Sequence, residues 1–178
     1  MAFEVAKALA APVDVFLVRK LGVPGHEELA MGAIASGGVR VLNEDVVAAT
    51  AISAQEIEQV AARELETLRR QEQAYRGERP PLEVRDRVAI AVDDGLATGA
   101  TMRAAITALR GRAAKRIVVA VPTAPRETCE ALRREVNEVV CAATPDPFVA
   151  VGLWYRDFSP VSDEQVRELL GVPPVGGS

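Results

Sequence analysis

The residues best suited to chemistry lie in Val88–Thr101, which reads VAIAVDDGLATGAT. Its first five residues are small and apolar, which is typical of a fully buried strand inside a parallel sheet. Two adjacent carboxylates, Asp93 and Asp94, follow the strand, and a short loop over 95–98 comes next. Gly99 then opens a run with apolar residues at helical spacing. The stretch therefore predicts a strand, an acidic pair, a small-residue loop and a helix.

Each part of this stretch suits a different part of a ligand. Small residues in Ala97–Thr101 let backbone N–H groups approach an anion, and the helix N-terminus behind them favours negative charge. The two aspartates would repel a phosphate bound there, so we expect them to face ribose hydroxyls, directly or with a hydrated Mg²⁺. An ordinary turn at a strand end is the alternative, but ligands bind at the carboxyl ends of such strands. A phosphorylated ribose fits both halves.

The same stretch resembles the phosphoribosyl diphosphate (PRPP) signature of the type I phosphoribosyltransferases, with four apolar residues, two acidic residues and a Thr-Gly turn. It has no Gly-Lys-Ser/Thr of a Walker A loop, and no GxGxxG follows an early strand. The resemblance implies a transferase of the glycosyltransferase class in nucleotide metabolism. Such an enzyme uses PRPP and Mg²⁺, transfers the phosphoribosyl group to a nitrogenous acceptor such as a base, and releases diphosphate.

The resemblance also assigns roles within the signature. Asp93 and Asp94 are the expected catalytic residues and the expected Mg²⁺ ligands, directly or through water. The expected ribose 5-phosphate loop consists of Gly95, Leu96, Ala97, Thr98, Gly99, Ala100 and Thr101. Many purine-type members have an Asp where this chain has Ala97, so a general base of that kind is absent.

Composition limits the class of protein. With 178 residues, of which 49% are hydrophobic, the chain predicts a single α/β domain over 1–171 and a flexible tail over 172–178. The net charge of −4 gives no basic footprint for nucleic acid. No apolar run is long enough to span a membrane and no secretory pattern is present, so we expect a cytoplasmic protein. Cys129 and Cys141 are predicted to be buried free thiols, and His26 a loop residue.

Strand and helix patterns alternate from residue 86 to 141, which predicts βαβ units and a parallel sheet. Before them, 28–42 predicts a hairpin around Ser36-Gly37-Gly38. Ser53 and Glu56 form a capping box for a long helix over about 53–76. Type I phosphoribosyltransferases have a mobile catalytic loop in that interval, so this helical insertion is predicted either as a lid or as a helix packed on the sheet.

The N-terminal part predicts a helix from the first residue and then a strand, 13–18, that ends at Arg19 and Lys20. In related phosphoribosyltransferases a strand ending in Arg-Lys contributes to diphosphate binding; an ordinary basic turn is the alternative. Family members usually begin with a further strand and a diphosphate loop. The sequence therefore leads us to expect an N-terminal truncation or a degenerate, non-catalytic member, and an open sheet edge that favours homo-oligomers.

Scarce aromatic residues are concentrated in 146–158, which reads DPFVAVGLWYRDF. This segment resembles the hood of purine phosphoribosyltransferases, and Phe148 falls where a ring stacks on the base. Phe148, Trp154 and Tyr155 are thus the expected acceptor-binding residues. A hydrophobic cluster that anchors the chain is the alternative. For the whole protein, a PRPP- or nucleotide-binding regulatory module is the second hypothesis, and a phosphosugar hydrolase the weakest, because no GxSxG elbow is present.

Overall fold

The computed structural model describes residues 1–172, so the predicted tail, apart from Val172, lies outside the described residues. Two three-stranded sheets and six α-helices make up the described part of the chain. In chain order the elements are α1 Ala2–Leu9, β1 Val18–Val23, β2 His26–Ala35, β3 Val39–Leu42, α2 Glu44–Thr50, α3 Ala54–Arg76, β4 Val88–Val92, α4 Ala100–Gly111, β5 Arg116–Thr123, α5 Arg126–Arg133, β6 Glu138–Ala143, a 3₁₀ helix Val151–Trp154 and α6 Asp163–Leu169. Within 1–172, no helix is long and apolar enough to cross a membrane.

The second sheet is parallel, in the order β4-β5-β6, with α4 and α5 as the connections. This confirms the βαβ units predicted from the alternation of strand and helix patterns. Alternate residues of β5 are buried, namely Ile117, Val119, Val121 and Thr123. The apolar ones face the core that α4 and α5 complete.

One face of the parallel sheet is more open than the sequence predicts. Ala89 and Ala91 of β4 pack against the core, whereas Val88 is 57% exposed and Ile90 is 38% exposed. The prediction of a fully buried strand was therefore wrong for the outward-facing residues. Period-two alternation puts Val88 and Ile90 on the face opposite to the one that packs on the core.

The first sheet is antiparallel, in the order β1-β2-β3, and it confirms the hairpin around Ser36-Gly37-Gly38. The predicted strand over 13–18 was wrong, because β1 begins only at Val18 and contains Arg19 and Lys20. Leu17 N–H donates to Ser36 Oγ at 2.8 Å, and the segment before it is held by Arg76 of α3. The Leu17 carbonyl oxygen accepts from Ser36 N–H at 2.8 Å, directly after β2, whereas Asp14 and the Val15 carbonyl oxygen are bound by the Arg76 side chain.

The turn between β1 and β2 is short, with two residues between the strands. Gly22 lies within β1, and a Cβ on Gly22 would lie 2.6 Å from the carbonyl oxygen of Glu27. Only glycine permits this close approach beside an irregular register. His26, predicted in a loop, is instead the exposed first residue of β2.

Helix α3 is capped as predicted, because Ser53 and Glu56 form the capping box, and Gly77 is its C-terminal cap. Apolar residues on one side of α3 pack against β1 and β2, namely Ile57, Val60, Ala61 and Leu68. At its last residue, the Arg76 guanidinium is buried beside Asp14 at 2.8 Å and Glu72 at 3.3 Å. Helix α3 is therefore packed on the antiparallel sheet and anchored at its last residue, as the packed-helix alternative expects, and the lid role stays a prediction.

Helix α4 lies between the two sheets and contacts β1, β2 and β3 on one side and β4 and β5 on the other. Six of its residues are buried: Met102, Ala104, Ala105, Ile106, Ala108 and Leu109. Small residues on α4 let both sheets approach the helix closely. The helix whose N-terminus follows the small-residue loop is therefore among the most tightly held elements of the fold.

Cys129 and Cys141 form a disulfide bond, so the prediction of free thiols was wrong. Cys129 lies on the buried side of α5, and Cys141 lies on β6. The short connection between these two elements brings the Cα atoms to 6.8 Å. The bond joins α5 to the edge strand of the parallel sheet.

Candidate functional site

The acidic pair follows directly from the end of β4. Asp93 N–H donates to the carbonyl oxygen of Ala120 at 3.4 Å, which continues the ladder to β5 by one residue. Asp94 N–H then donates to Asp93 Oδ1 at 2.9 Å, and this bond turns the chain. Asp93 is half-buried, whereas Asp94 is exposed. The two carboxylates therefore lie at the carboxyl end of the strand, as the sequence predicts.

Electrostatics distinguish the two carboxylates. Burial raises the pKa of Asp93 above its ordinary value, and the charge of Asp94 raises it further, while the hydrogen bond from Asp94 N–H acts in the opposite direction. The charged form of a carboxylate in such surroundings is stabilised by a nearby cation or by hydroxyl groups that donate hydrogen bonds to it. A ribose diol or Mg²⁺ would supply such partners.

The loop that follows Asp93 and Asp94 packs against the end of β5 and against the 3₁₀ helix. Leu96 N–H donates to the carbonyl oxygen of Thr123 at 3.1 Å, and the Leu96 side chain is buried. A Cβ on Gly95 would lie 2.6 Å from Val151 Cγ1 and 3.0 Å from the Thr123 carbonyl oxygen. Glycine at 95 therefore lets the acidic loop pass between the end of β5 and the 3₁₀ helix.

Gly99 makes the transition from the loop to α4. Its φ of 75° lies in the left-handed region that glycine tolerates. The first N–H groups of α4 have no acceptors within the helix, and they carry the positive end of its dipole. Thr98, Ala100 and Thr101 are exposed around this helix N-terminus. The geometry is that of an anion site beside, and separate from, the carboxylates.

Two side chains from outside the loop hold its backbone carbonyls. Thr128 Oγ1 of α5 donates to the Ala97 oxygen at 2.9 Å, and Arg103 Nη1 of α4 donates to the Thr98 oxygen at 2.9 Å. Arg103 is in turn paired with Glu135 at 2.8 Å. Sequence reasoning missed these residues, because nothing in their spacing shows that α5 packs against the loop.

The aromatic segment reaches the acidic pair through one residue. The Tyr155 hydroxyl donates to the carbonyl oxygen of Asp94, and the ring packs against Phe158 with 4.9 Å between centroids. Burial raises the pKa of Tyr155, and the charges of Asp94 and Asp93 add to this shift. Trp154 and Phe148 lie on the same segment, the first exposed and the second half-buried. Of the three predicted acceptor-binding residues, Tyr155 is the one that contacts the acidic pair.

Arg19 and Lys20 are engaged within the antiparallel half of the molecule. Arg19 Nε is 2.6 Å from Glu64 of α3, and Lys20 Nζ is 3.4 Å from Glu28 of β2. Both line a groove of about 640 Å³ between α3 and the turn after β1. These contacts do not connect them to the acidic pair, so their diphosphate role stays a prediction.

The oxygen ligands available at Asp93 and Asp94 determine whether the site could hold Mg²⁺. Over residues 1–172, no group of three or more His, Cys, Asp or Glu side chains is arranged to hold a metal ion. Mg²⁺, however, is typically held by one or two carboxylates together with water and substrate phosphates. Asp93 and Asp94 fit that partial set, in which the substrate supplies further oxygens.

The fold and this site define a class of protein, and comparison with known families agrees. Residues 2–153 match the model of the phosphoribosyl transferase domain, so the chain belongs to that family. The resemblance drawn from the signature is thereby confirmed.

Two curated relatives from Mycobacterium tuberculosis carry the names "Putative phosphoribosyl transferase MT0597" (strain CDC 1551 / Oshkosh) and "Putative phosphoribosyl transferase Rv0571c" (strain ATCC 25618 / H37Rv). Each is 47% identical over 170 residues, which covers 96% of this chain. The chain spans only 38% of the length of these relatives.

A solved structure is also similar, that of the protein TT1426 from Thermus thermophilus. It has a TM-score of 0.80 and 41% sequence identity, over 94% of this chain and 79% of that one. The predicted parallel-sheet α/β fold of phosphoribosyltransferase type is therefore confirmed.

Proposed function

We propose that this chain binds PRPP and transfers its phosphoribosyl group to a nitrogenous acceptor such as a base, with release of diphosphate. The observation that carries the proposal is the juxtaposition, at the carboxyl end of β4, of a carboxylate pair and an anion site at the N-terminus of α4. One short loop separates the two sites, which suits the two ends of a single sugar phosphate. Family membership supports the same assignment.

The 5-phosphate binds at the loop Ala97–Thr101 in this proposal. Backbone N–H groups at the start of α4 and the hydroxyls of Thr98 and Thr101 donate to the phosphate oxygens. No side chain of the loop itself carries a positive charge, so binding depends on dipoles and hydrogen bonds. Such a site needs a rigid loop, because a mobile one loses the alignment of its donors.

The ribose binds at Asp93 and Asp94, which accept hydrogen bonds from its hydroxyls directly or through water. These carboxylates would also hold Mg²⁺, which when bound supplies positive charge to the diphosphate. Arg19 and Lys20 are the proposed further cations for the diphosphate. They could serve only after leaving Glu64 and Glu28, with which they are paired in the described structure.

The reaction breaks the bond between C1 of the ribose and a diphosphate oxygen, and the electron pair leaves with the diphosphate. The acceptor nitrogen supplies the electron pair of the new bond to C1, and a proton carried by that nitrogen is released to water. Positive charge develops on the ribose ring between these events, and the nearby carboxylates stabilise it. The protein thus contributes positioning and electrostatic stabilisation. Tyr155, with Phe148 and Trp154 on the same segment, is the proposed contact for the acceptor.

The decisive experiment is calorimetric titration of PRPP, with Mg²⁺ present, into the wild-type chain and the double variant Asp93→Asn/Asp94→Asn. We expect at least about a 100-fold loss of affinity, because two charge-assisted contacts of roughly 1.5–3 kcal/mol each are removed. Glu138→Gln is the matched control, since Glu138 is an exposed acid at the opposite end of the same sheet. Unchanged PRPP affinity in the double variant would contradict the proposal.

A regulatory module that binds PRPP or a nucleotide without turnover is the second candidate. Two observations favour it: Ala97 offers no general base, and Arg19 and Lys20 are engaged in ion pairs. An assay of diphosphate release over a panel of nucleobases distinguishes the candidates. Release with any base supports the transferase, and PRPP binding without release supports the module.

We also propose that residues 1–171 act as one domain. The contacts of α4 with both sheets support this, because separation of the sheets would expose the buried faces of that helix. A homo-oligomeric state and a cytoplasmic location stay predictions.

A further inference from the structure

The carbonyl groups of the phosphate loop are held by side chains that lie behind it. Thr128 is buried on α5, and its hydroxyl donates to the Ala97 oxygen at 2.9 Å. Arg103 donates to the Thr98 oxygen at the same distance, and Glu135 holds Arg103 at 2.8 Å. Two consecutive peptide groups of the loop therefore have fixed orientations.

The direction of these carbonyls determines the direction of the neighbouring N–H groups. A trans peptide group is planar, and its C=O and N–H point in opposite directions. The carbonyl of Ala97 shares a peptide group with the N–H of Thr98, and the carbonyl of Thr98 shares one with the N–H of Gly99. With both oxygens held toward Thr128 and Arg103, the two N–H groups point away from those side chains.

A reversed peptide would be costly at this position. It would present a carbonyl oxygen, with its partial negative charge, to a bound phosphate, and it would remove a donor at the same time. Gly99 is the residue most able to allow such a reversal, because without a Cβ it tolerates both its present φ of 75° and a negative φ. Contacts that prevent the reversal therefore matter most beside this glycine.

Helix α5 is itself held in place. Cys129, next to Thr128, is bonded to Cys141 of β6, and Leu132 is fully buried in the core. The Thr128 Cγ2 and Leu132 Cδ1 atoms lie 3.3 Å and 3.8 Å from the position of a Cβ on Gly99. The hydroxyl of Thr128 is thus presented to the loop from a rigid support.

We propose that Thr128 and Arg103 are positioning residues that orient the N–H groups of Thr98 and Gly99 toward the 5-phosphate of the substrate. This inference rests on the proposed function for the identity of the ligand. The orientation of the loop in the free protein does not depend on that identity.

The test compares Thr128→Val, which keeps the shape and removes the hydroxyl, with Thr128→Ser, which keeps the hydroxyl. In the ligand-free protein, we expect Thr128→Val to shift and broaden the amide NMR signals of Thr98 and Gly99. Thr128→Ser should restore both signals. Thr67→Val is the matched control, because it also removes a hydroxyl that donates to a carbonyl, on the exposed side of α3.

Titration with PRPP completes the experiment. We expect Thr128→Val to weaken binding about tenfold, Thr128→Ser to stay within about twofold of wild type, and Arg103→Met to weaken binding by at least as much as Thr128→Val. If wild-type protein does not bind PRPP, the proposed function fails, and the NMR comparison still decides whether Thr128 orients the loop. If wild type binds PRPP but Thr128→Val leaves both the amide signals and the affinity unchanged, the positioning role is overturned.

Discussion

The two halves of this molecule both contain ion pairs, but the parallel half also places two carboxylates side by side. In the antiparallel half, long charged side chains find partners on neighbouring elements: Arg76 with Asp14, Arg19 with Glu64 and Lys20 with Glu28. In the parallel half, Arg103 is paired with Glu135 and Arg116 with Glu138, but Asp93 and Asp94 lie side by side, and burial raises the pKa of Asp93. The charged side chains named in the antiparallel half have partners of opposite charge within the protein. The acidic pair of the parallel half would instead be stabilised by the hydroxyls or the cation of a ligand.

The largest expected effect is on stability and comes from removing the buried cation of the antiparallel half. Arg76→Met leaves Asp14 and Glu72 near a buried site without their cation, and we expect a loss of about 3–5 kcal/mol in the free energy of unfolding. Urea denaturation measures this loss. Arg63→Met is the control, because the Arg63 side chain is 69% exposed and its pair with Glu64 should contribute less than about 1 kcal/mol. Equal effects of the two substitutions would contradict the special role of Arg76.

The next effect concerns the fit between the acidic loop and the aromatic segment. Gly95→Ala places a methyl group 2.6 Å from Val151 Cγ1, so we expect a loss of about 1–3 kcal/mol in stability and weaker PRPP binding. The double variant Gly95→Ala/Val151→Ala should recover part of both losses, because the smaller side chain makes room. Additive losses in the double variant would show that the two residues are not coupled.

Two tyrosine hydroxyls allow a direct comparison of the halves. Tyr75 donates to Asp163 at 2.7 Å and links α3 to α6, whereas Tyr155 donates to the Asp94 carbonyl oxygen. We expect Tyr75→Phe and Tyr155→Phe each to cost about 0.5–1.5 kcal/mol of stability. Only Tyr155→Phe should weaken PRPP binding, by a few-fold, since it alone contacts the acidic loop. An equal loss of PRPP affinity in Tyr75→Phe would contradict a specific role of Tyr155 at the acidic loop.

The sequence predicts the fold of the parallel half better than that of the antiparallel half. The parallel half is specified by local patterns, because the β4 strand, the Asp93–Asp94 pair and the Gly99 helix start are all neighbours in the chain. In the antiparallel half, residues 13–17 have a strand-like pattern, yet β1 begins only at Val18, and Arg76, which is distant in the chain, binds Asp14 and the Val15 carbonyl oxygen. Such long-range ion pairs leave no signal in a local pattern.

The candidate site shows the same limit on a smaller scale. The acidic pair and the loop could be predicted, but the contacts of Thr128 and Tyr155 with them could not, because these depend on how α5 and the 3₁₀ helix pack. The Cys129–Cys141 bond was missed for the same reason, since only the fold shows that α5 and β6 are adjacent at those residues.

The smallest expected effect concerns pH, and it compares two aspartates with opposite shifts. The folded protein raises the pKa of Asp93, so the stability linked to its proton is present below the unfolded pKa and lost as pH rises through the folded pKa. Hydrogen bonds from Ser159 instead lower the pKa of Asp157, so its contribution is present above the unfolded pKa and lost as pH falls through the folded pKa.

Asn substitutions separate these contributions in thermal melts from about pH 4 to 8, a range that covers the ordinary titration of a carboxyl group. Asp93→Asn should raise the melting temperature relative to wild type, by roughly 1–3 °C, and increasingly so as pH rises, because partial exposure screens the effect without removing it. Asp157→Asn should lower the melting temperature over the same range, by a smaller amount. Because Asp93 is needed for ribose binding in our proposal, the variant that gains stability is also the one that loses PRPP affinity. If the Asp93→Asn protein is more stable but binds PRPP with wild-type affinity, the proposed role of Asp93 in ribose binding is contradicted.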